Sequence, residues 1–488
     1  MVFVALLAAW AVLGSDARAQ AAAMLGALLL APVLLLADIW HSPQLHLVHR
    51  HPLLAVIGGL LALALVATVA YLIVRYPPLL AILTVVALPF RVPIQAGGTT
   101  SNLLVPLYLV VAAGALAYVY TLLRSDAGSP HRRQPTWIER LLALYVVLYA
   151  VQSIYSSDFE KALQQMVFFY VPFSLLFCLL RQIDWTPRLI RNCFFVLIGL
   201  AVLFTAVGFV EYETKTLFLN PKLVAANDVH AYFTVNSVFF DPDIFGRFLA
   251  LVMISVAAIL LYRSERREII GATLILAVLW GGLVLTLSRS SLGALLVGLA
   301  VLAALRWKAW PVVAVGVVVV AVGGAALAIS PKTFGLNQGL NGASSGRAGL
   351  VSGGFDLFRS RPVWGYGAGS FVHEYRRQHP GSSQTLSASH TIPITIAAEQ
   401  GLIGEGVYAA LVLVSLLGLL RGARATPARA AVGAAFAALV FHTMLYADFL
   451  EDPSTWALLG IGIALAAGER AAARDAARAR VARLAAAA

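Results

Sequence analysis

The sequence predicts an all-α, polytopic membrane helix bundle carrying one large, partly helical extracytoplasmic loop. Three observations lead there. The chain has 488 residues, of which 60% are hydrophobic and 12% charged, whereas soluble domains carry about 25% charged residues. Apolar runs near the ~20 residues needed to cross a bilayer recur from end to end. Polar residues collect in one long insert, 330–399, instead of being shared among many loops. A membrane β-barrel would show short segments of alternating polarity, and these runs are continuous.

The apolar runs fall at 1–14, 21–37, 53–75, 78–90, 103–123, 137–155, 162–180, 189–210, 246–262, 268–287, 290–305, 311–329, 400–420, 428–446 and 453–468. The first and fourth are short, so about twelve to fifteen spans are expected. Ala17-Arg-Ala19 resembles a signal-peptidase site. The apolar run before it lacks a basic leader, which favours a short or truncated first span over a signal peptide. The expected organisation is a transmembrane bundle over 1–329, with an outer loop at 211–245. The large loop 330–399 follows, then C-terminal transmembrane helices over 400–468 and a basic tail over 469–488. No repeat of fixed length stands out.

The formal net charge of +12 does not point to nucleic acid, because the basic residues sit in short loops between spans. Arg124 with Arg132 and Arg133, then Arg181, Arg188 and Arg191, then Arg263, Arg266 and Arg267 mark every second connection. Arg306 with Lys308, and Arg421, Arg424 and Arg429, continue the series. Basic short loops stay cytoplasmic. The connections 91–102, 156–161, 211–245, 287–290, 330–399 and 447–452 then face outward, and the Ala/Arg-rich tail is cytoplasmic, near anionic lipid. The two cysteines, Cys178 and Cys193, lie in or beside apolar runs and offer neither a disulfide framework nor a metal site. No Walker loop and no Cys/His metal spacing occurs, so no metal and no cofactor is expected. Asp241-Pro-Asp243 fits a bare Asp-x-Asp pattern but falls on the outer side, away from cytoplasmic nucleotide sugars.

A 70-residue insert is far longer than the ~12–15 residues that join helices without a purpose, so it is read as the site-bearing loop. Arg347 opens a segment with Val351, Phe355 and Phe358 at helical spacing. A helix lying on the bundle would aim this cation, and its own N-terminus, at an anion. Arg289, between two apolar runs, is either a snorkelling interfacial arginine or a cation at a cavity mouth. A guanidinium suits phosphate because its planar fork donates two parallel hydrogen bonds. His390, at an apparent helix start with Ser387 and Ser389 as possible caps, is either structural or a base for an attacking hydroxyl near pH 7. Glu399 is expected to pair with a cation, one of the arginines being the candidate. In the earlier outer loop, Asp241, Asp243 and Arg247 form either an acceptor-binding element or an ordinary turn and helix start. His373, Arg376, Arg377 and His379 read as solvated charge.

These motifs, in their order, resemble the O-antigen ligase and O-antigen polymerase superfamily. The resemblance rests on Thr286-Leu-Ser-Arg289-Ser-Ser-Leu-Gly293, on Arg347, on Pro362-Val-Trp-Gly-Tyr-Gly-Ala-Gly369, on Ser389-His390 and on Glu399-Gln-Gly401-Leu-Ile-Gly404. It spans residues 281 to about 410. It implies a glycosyltransferase of the inner membrane that takes a glycan from a polyprenyl-pyrophosphate donor to an acceptor hydroxyl. The acceptor would be a glycan, a lipid or a protein. His390 would deprotonate the acceptor, and Arg289 and Arg347 would stabilise the leaving pyrophosphate. Asp241, Asp243, Arg247 and Glu399 would contact substrate. Two other classes fit the composition: a transporter or flippase of lipid-linked glycan, and a scaffold that docks partners on the loop. Transporters show inverted repeats and midplane polar residues; here the polar residues crowd one outer face.

The orientation has a direct test. In intact cells, an impermeant thiol reagent should label a cysteine placed at Ser383 but not one placed at Ala476. The opposite pattern would reverse the topology and remove the extracytoplasmic site.

Overall fold

The computed structural model describes residues 1–40, 45, 49–96, 99–124, 134–218, 233–307, 309–329, 347–380, 389–446 and 448–487. Its first half contains α1 (Val2–Leu13), α2 (Ala17–Ile39), α3 (Pro52–Arg75) and α4 (Pro78–Ala87). After a hairpin come α5 (Val105–Arg124), α6 (Trp137–Gln152), α7 (Phe159–Gln182) and α8 (Pro187–Thr214). Next are α9 (Pro242–Tyr262), α10 (Arg266–Leu285), α11 (Arg289–Arg306) and α12 (Ala309–Ile329). The loop contributes α13 (Arg347–Ser360) and α14 (Phe371–Gln378). The chain closes with α15 (Ile392–Leu420), α16 (Pro427–Thr443) and α17 (Pro453–Ala487).

Eleven described helices are long and apolar enough to cross a membrane. The 17 residues of α16 and the 21 apolar residues of α12 add two more of spanning character, within the expected twelve to fifteen. The runs expected to be short are so: α1 has 12 residues and α4 has 10. The fold is the expected all-α membrane bundle. Its one departure is a two-stranded antiparallel hairpin, β1 (Val92–Ala96) with β2 (Thr99–Leu103), in register from Val92↔Leu103 to Ala96↔Thr99. It occupies the connection expected only as a loop; Val-x-Ile in the first strand and Thr-Thr in the second favour extended backbone.

Helix ends follow local rules. Thr136 and Glu139 form a reciprocal capping box at the start of α6. Asp241 caps α9, accepting from the Asp243 amide at 2.7 Å, with Pro242 in the first turn. Ser288 caps α11. The helices bury two apolar cores. One gathers α1, α5, α6, α7, α15 and α17 around Tyr145, Phe173, Phe177 and Trp456; the other gathers α8–α11 and α16 around Phe204, Phe245 and Leu279.

Described parts of the large loop meet the α6–α7 turn and the end of α16 at one end of this bundle. Tyr155 Oη donates to the Trp364 carbonyl at 2.7 Å, Ser156 Oγ to the Ala368 carbonyl at 2.7 Å, and Arg347 Nη1 to the Leu445 carbonyl at 3.3 Å. The basic connections meet at the other end. There Arg306 Nε donates to the Leu261 carbonyl, Arg181 pairs with buried Glu139, and Arg429 pairs with Glu469 at 2.6 Å. Among the described residues, these basic contacts and the contacts of the loop segment fall at opposite helix ends.

The large loop is docked by backbone. The Gly401 φ of 64° breaks α15, so the carbonyls of Ala398 and Glu399 turn outward from the helix. The segment Pro362–Gly369 lies against this break. Tyr366 N donates to Ala398 O at 3.2 Å, Gly367 N to Glu399 O at 2.7 Å, and Leu402 N to Pro362 O at 2.8 Å. On its other side, Ser157 N donates to Tyr366 O at 3.3 Å. Gly365 and Gly367 both have positive φ, and a Cβ there would collide with the backbone of Glu399 and Ser156 respectively. Only glycine meets both demands.

Glu399 completes the dock. Its carboxylate accepts from the Gly369 amide at 2.8 Å and the Phe371 amide at 3.0 Å. The expected arginine partner is not there; buried backbone N–H groups delivered by the glycine segment take its place. Replacing Glu399 by Ala strands two buried donors, at about 1–3 kcal/mol each. The expected outcome is a Tm lowered by several degrees and faster proteolysis at α13–α14, with Glu399→Gln intermediate. An unchanged melt and digestion pattern would remove Glu399 from the anchoring of the loop.

Candidate active site

The site is built where the starts of α9, α11, α13 and α15 and the end of α16 converge. Gly246, one turn into α9, lets the starts of α9 and α11 approach: a Cβ there would stand 2.7 Å from Ser291 Oγ and 3.0 Å from Thr286 Oγ1. This closeness brings Asp243 among the α11 serines. Ser288 donates to Asp243 Oδ1, Ser290 Oγ donates to the same oxygen at 3.0 Å, and Ser291 Oγ donates to the Asp243 carbonyl at 3.2 Å. The other carboxylate oxygen, Oδ2, lies 3.7 Å from Arg347 Nη2. Arg347 opens α13 and its side chain is 42% exposed; Asp243 and the Leu445 carbonyl hold it from the protein side, and its exposed part faces outward. Asp243 is thus a positioning carboxylate.

His442, fully buried near the end of α16, closes the cluster from below. Its Nε2 is 3.2 Å from both Ser290 Oγ and Ser291 Oγ. Both hydroxyl protons already go to Asp243, so the proton count places the imidazole proton on Nε2, donating to the serines. Nδ1 then has no hydrogen-bond partner among the described residues. One turn further, the Tyr446 ring stands 5.6 Å from His442 and 6.4 Å from His390. Burial, with Asp241 and Asp448 nearby, holds its phenol far above its ordinary range. Burial, with Asp243 beside it, pushes the Asp241 carboxyl up to about 6.

His390 precedes α15 in a left-handed conformation, φ 61°. Ser389 fixes the turn: its hydroxyl donates to the Thr391 carbonyl at 2.7 Å and stands 2.7 Å from the Thr395 hydroxyl. Ser387 lies outside the described residues. Burial, and next the Arg347 cation, lower the His390 pKa from its ordinary value, against the pull of Asp243 and Asp448. The imidazole is therefore neutral at pH 7, the form a base requires. Leu287 and Asp448, which flank the same cluster, also have positive φ. Such conformations cost about 1–3 kcal/mol each and concentrate at functional sites.

The remaining sequence-derived candidates divide. Arg247 is buried in an ion pair with Asp452 and lies 5.9 Å from the Tyr446 ring centroid, while its Nη1 has no hydrogen bond among the described residues. Arg289 is exposed where Ser288, Ser290 and Ser291 are buried, and forms no ion pair among the described residues. It stands at the rim, outside the buried cluster. Glu399 belongs to the loop anchor described above. Among the described residues no group of three or more His, Cys, Asp or Glu is placed to hold a metal ion.

Several members went unread in the sequence. His442, Tyr446, Asp448 and Asp452 touch or face the cluster, and Ser290 and Ser291, read only as part of the Arg289 motif, belong to it. His442 and Tyr446 sit four residues apart at the end of an apolar run, and Asp448, Glu451 and Asp452 crowd a six-residue connection. Both patterns are signals that polar groups are gathered on one helix end.

Fold and site together define a polytopic membrane protein with a buried polar cluster at one end of an all-α bundle. The family model described as O-antigen ligase matches residues 273–409. That region runs from α10 through α15 and contains Arg289, Arg347, His390 and Glu399, so the resemblance carried by the sequence motifs holds. No curated protein matches the chain.

Proposed function

We propose that the chain is a glycosyltransferase of the cytoplasmic membrane. On this reading it moves a glycan from a polyprenyl-pyrophosphate donor to an acceptor hydroxyl on the extracytoplasmic face. The observation that carries the reading is the pairing of a neutral, half-buried His390 with the part-exposed cation Arg347 in one polar cluster. His390 takes the proton of the acceptor hydroxyl as its oxygen attacks the anomeric carbon. The C–O bond to the pyrophosphate breaks, and the departing phosphate oxygen carries the bonding pair. Arg347 meets that charge, with Arg289 at the rim as a second cation. Preorganised cations gain most where charge develops in the transition state. Two guanidinium groups neutralise the leaving group without a metal. Asp241, Asp243 and Arg247 line the adjoining acceptor side, with Asp243 acting through its hold on Arg347.

The deciding assay uses purified protein in proteoliposomes with a lipid-linked oligosaccharide and a hydroxyl acceptor, in excess chelator. Covalent transfer supports the enzyme; movement of intact donor across the bilayer without transfer would make it a flippase. His390→Ala should lower turnover by about 10²–10⁴ with donor binding retained. Arg347→Ala should cost about 10²–10³, and Arg347→Lys should recover only part of that, since an ammonium cannot bind bidentately.

The pH profile follows with its sign. A lowered His390 pKa means the base form is complete at neutral pH, and activity is lost only as pH falls through a midpoint below 6.5. Arg347→Gln removes a cation that opposes protonation, so its midpoint should move upward toward 6.5. A midpoint that stays fixed in Arg347→Gln would separate the titrating group from His390.

A further inference from the structure

A crevice of about 690 Å³ opens at the basic end of the bundle, far from the site above. Cavities of this size, about 300–1,000 Å³, hold small ligands. It lies between the start of α6, the end of α15 and the middle of α17. Small residues shape it. Gly462 lets α17 close on Leu419 at the floor, while Gly418 leaves 3.1 Å between a would-be Cβ and Ile138. Above that floor the walls are apolar and open, with Leu417 62% exposed and Trp137 66% exposed at the mouth. Trp at such a level marks a membrane–water interface.

The mouth is cationic. Arg421 and Arg470 line it and are exposed, and neither forms an ion pair among the described residues. Arg470 Nε donates to the Ala466 carbonyl at 2.9 Å, which leaves its two terminal nitrogens uncommitted. Arg429 and Glu469 are paired at 2.6 Å; Arg429 also donates to the Gly422 and Arg421 carbonyls, and Glu469 accepts from the Thr426 hydroxyl. Two unpaired guanidinium groups therefore stand over an apolar trough among membrane-spanning helices. That arrangement is complementary to a molecule with a phosphate at one end and hydrocarbon at the other.

We propose that this crevice binds one anionic phospholipid from the leaflet at the basic end, its phosphate between Arg421 and Arg470 and an acyl chain against Leu417. The wedge then fills the gap where α6, α15 and α17 diverge, which couples lipid composition to the end of α15 opposite the loop anchor.

Native mass spectrometry of the full chain, loaded from equimolar phosphatidylglycerol and phosphatidylcholine, tests the assignment. Wild type should retain phosphatidylglycerol in preference. Each arginine facing anionic lipid contributes about fivefold, so R421Q/R470Q should bring retention down toward that of phosphatidylcholine. Leu417→Trp, which fills the trough at an exposed position, should lower retention of both lipids. Gel filtration of each variant reports folding, and both arginines are surface residues. Equal retention of the two lipids by wild type, an undiminished preference in R421Q/R470Q, or undiminished retention in Leu417→Trp would each overturn the proposal.

Discussion

The break in α15 at Gly401 is the constraint on which the rest of the molecule depends. A helix that ran through unbroken would keep its carbonyls to itself. With φ at 64°, two of them face outward and the turn-rich Pro362–Gly369 segment donates amides to both. Buried backbone groups must be satisfied, and every amide committed here fixes part of the loop. The Glu399 carboxylate then adds two more bonds, to Gly369 and Phe371. Through that dock the loop is tied simultaneously to α15 and to the α6–α7 turn. Arg347 and His390 lie on either side of the tie, one before the docked segment and one after it. Neither could keep a fixed position if the dock were loose.

A second constraint works at side-chain level. Asp243 accepts from two serine hydroxyls with one oxygen and faces Arg347 with the other. A carboxylate with a single free partner would swing; this one is held on one edge by α11 and presents the other. His442 holds the serines in turn, so hydrogen bonds run from the bundle interior to Asp243, and an ion pair at 3.7 Å completes the path to the cation. The close approach that makes this possible rests on Gly246 having no side chain. Packing between two membrane helices thus sets the position of a charge in a loop remote in sequence.

Much of this was legible in the sequence. Apolar run lengths located the spans, basic loops separated the two ends, and the composition of 330–399 marked the site-bearing loop. Arg347 and His390 stood out because each opens a helix in a polar setting, and the structure places them beside one cluster. Glu399 was visible as a buried carboxylate, but its partners were not. Backbone amides leave no trace in the residue alphabet, and the glycines that deliver them read only as loop. His442, Tyr446 and the Asp448–Asp452 stretch were missed for a different reason. His442 and Tyr446 belong to a run that is apolar on average, and an average hides a helix end where polar side chains share a face; the acidic stretch lies in the short connection that follows, read only as a loop. Arg289 illustrates the converse: a conspicuous residue whose serine neighbours, not itself, turn inward.

On the proposed reading, the cation and the base are not independent parts. In the free protein, burial and the Arg347 charge both oppose protonation of His390, so the imidazole waits in its neutral form. A pyrophosphate bound at Arg347 brings negative charge into the same pocket and offsets that opposition. The affinity of His390 for a proton then rises when donor is present, which is when a proton must be taken from the acceptor. Coulomb interaction in a partly buried pocket is far less screened than in water, so a change of charge at one contact distance is felt at the other. Departure of the pyrophosphate restores the original field and returns the proton to solvent. The arrangement needs no moving lid for this coupling; it needs only that Arg347 and His390 be held at fixed separation, which is what the loop anchor at Gly401 and Glu399 enforces.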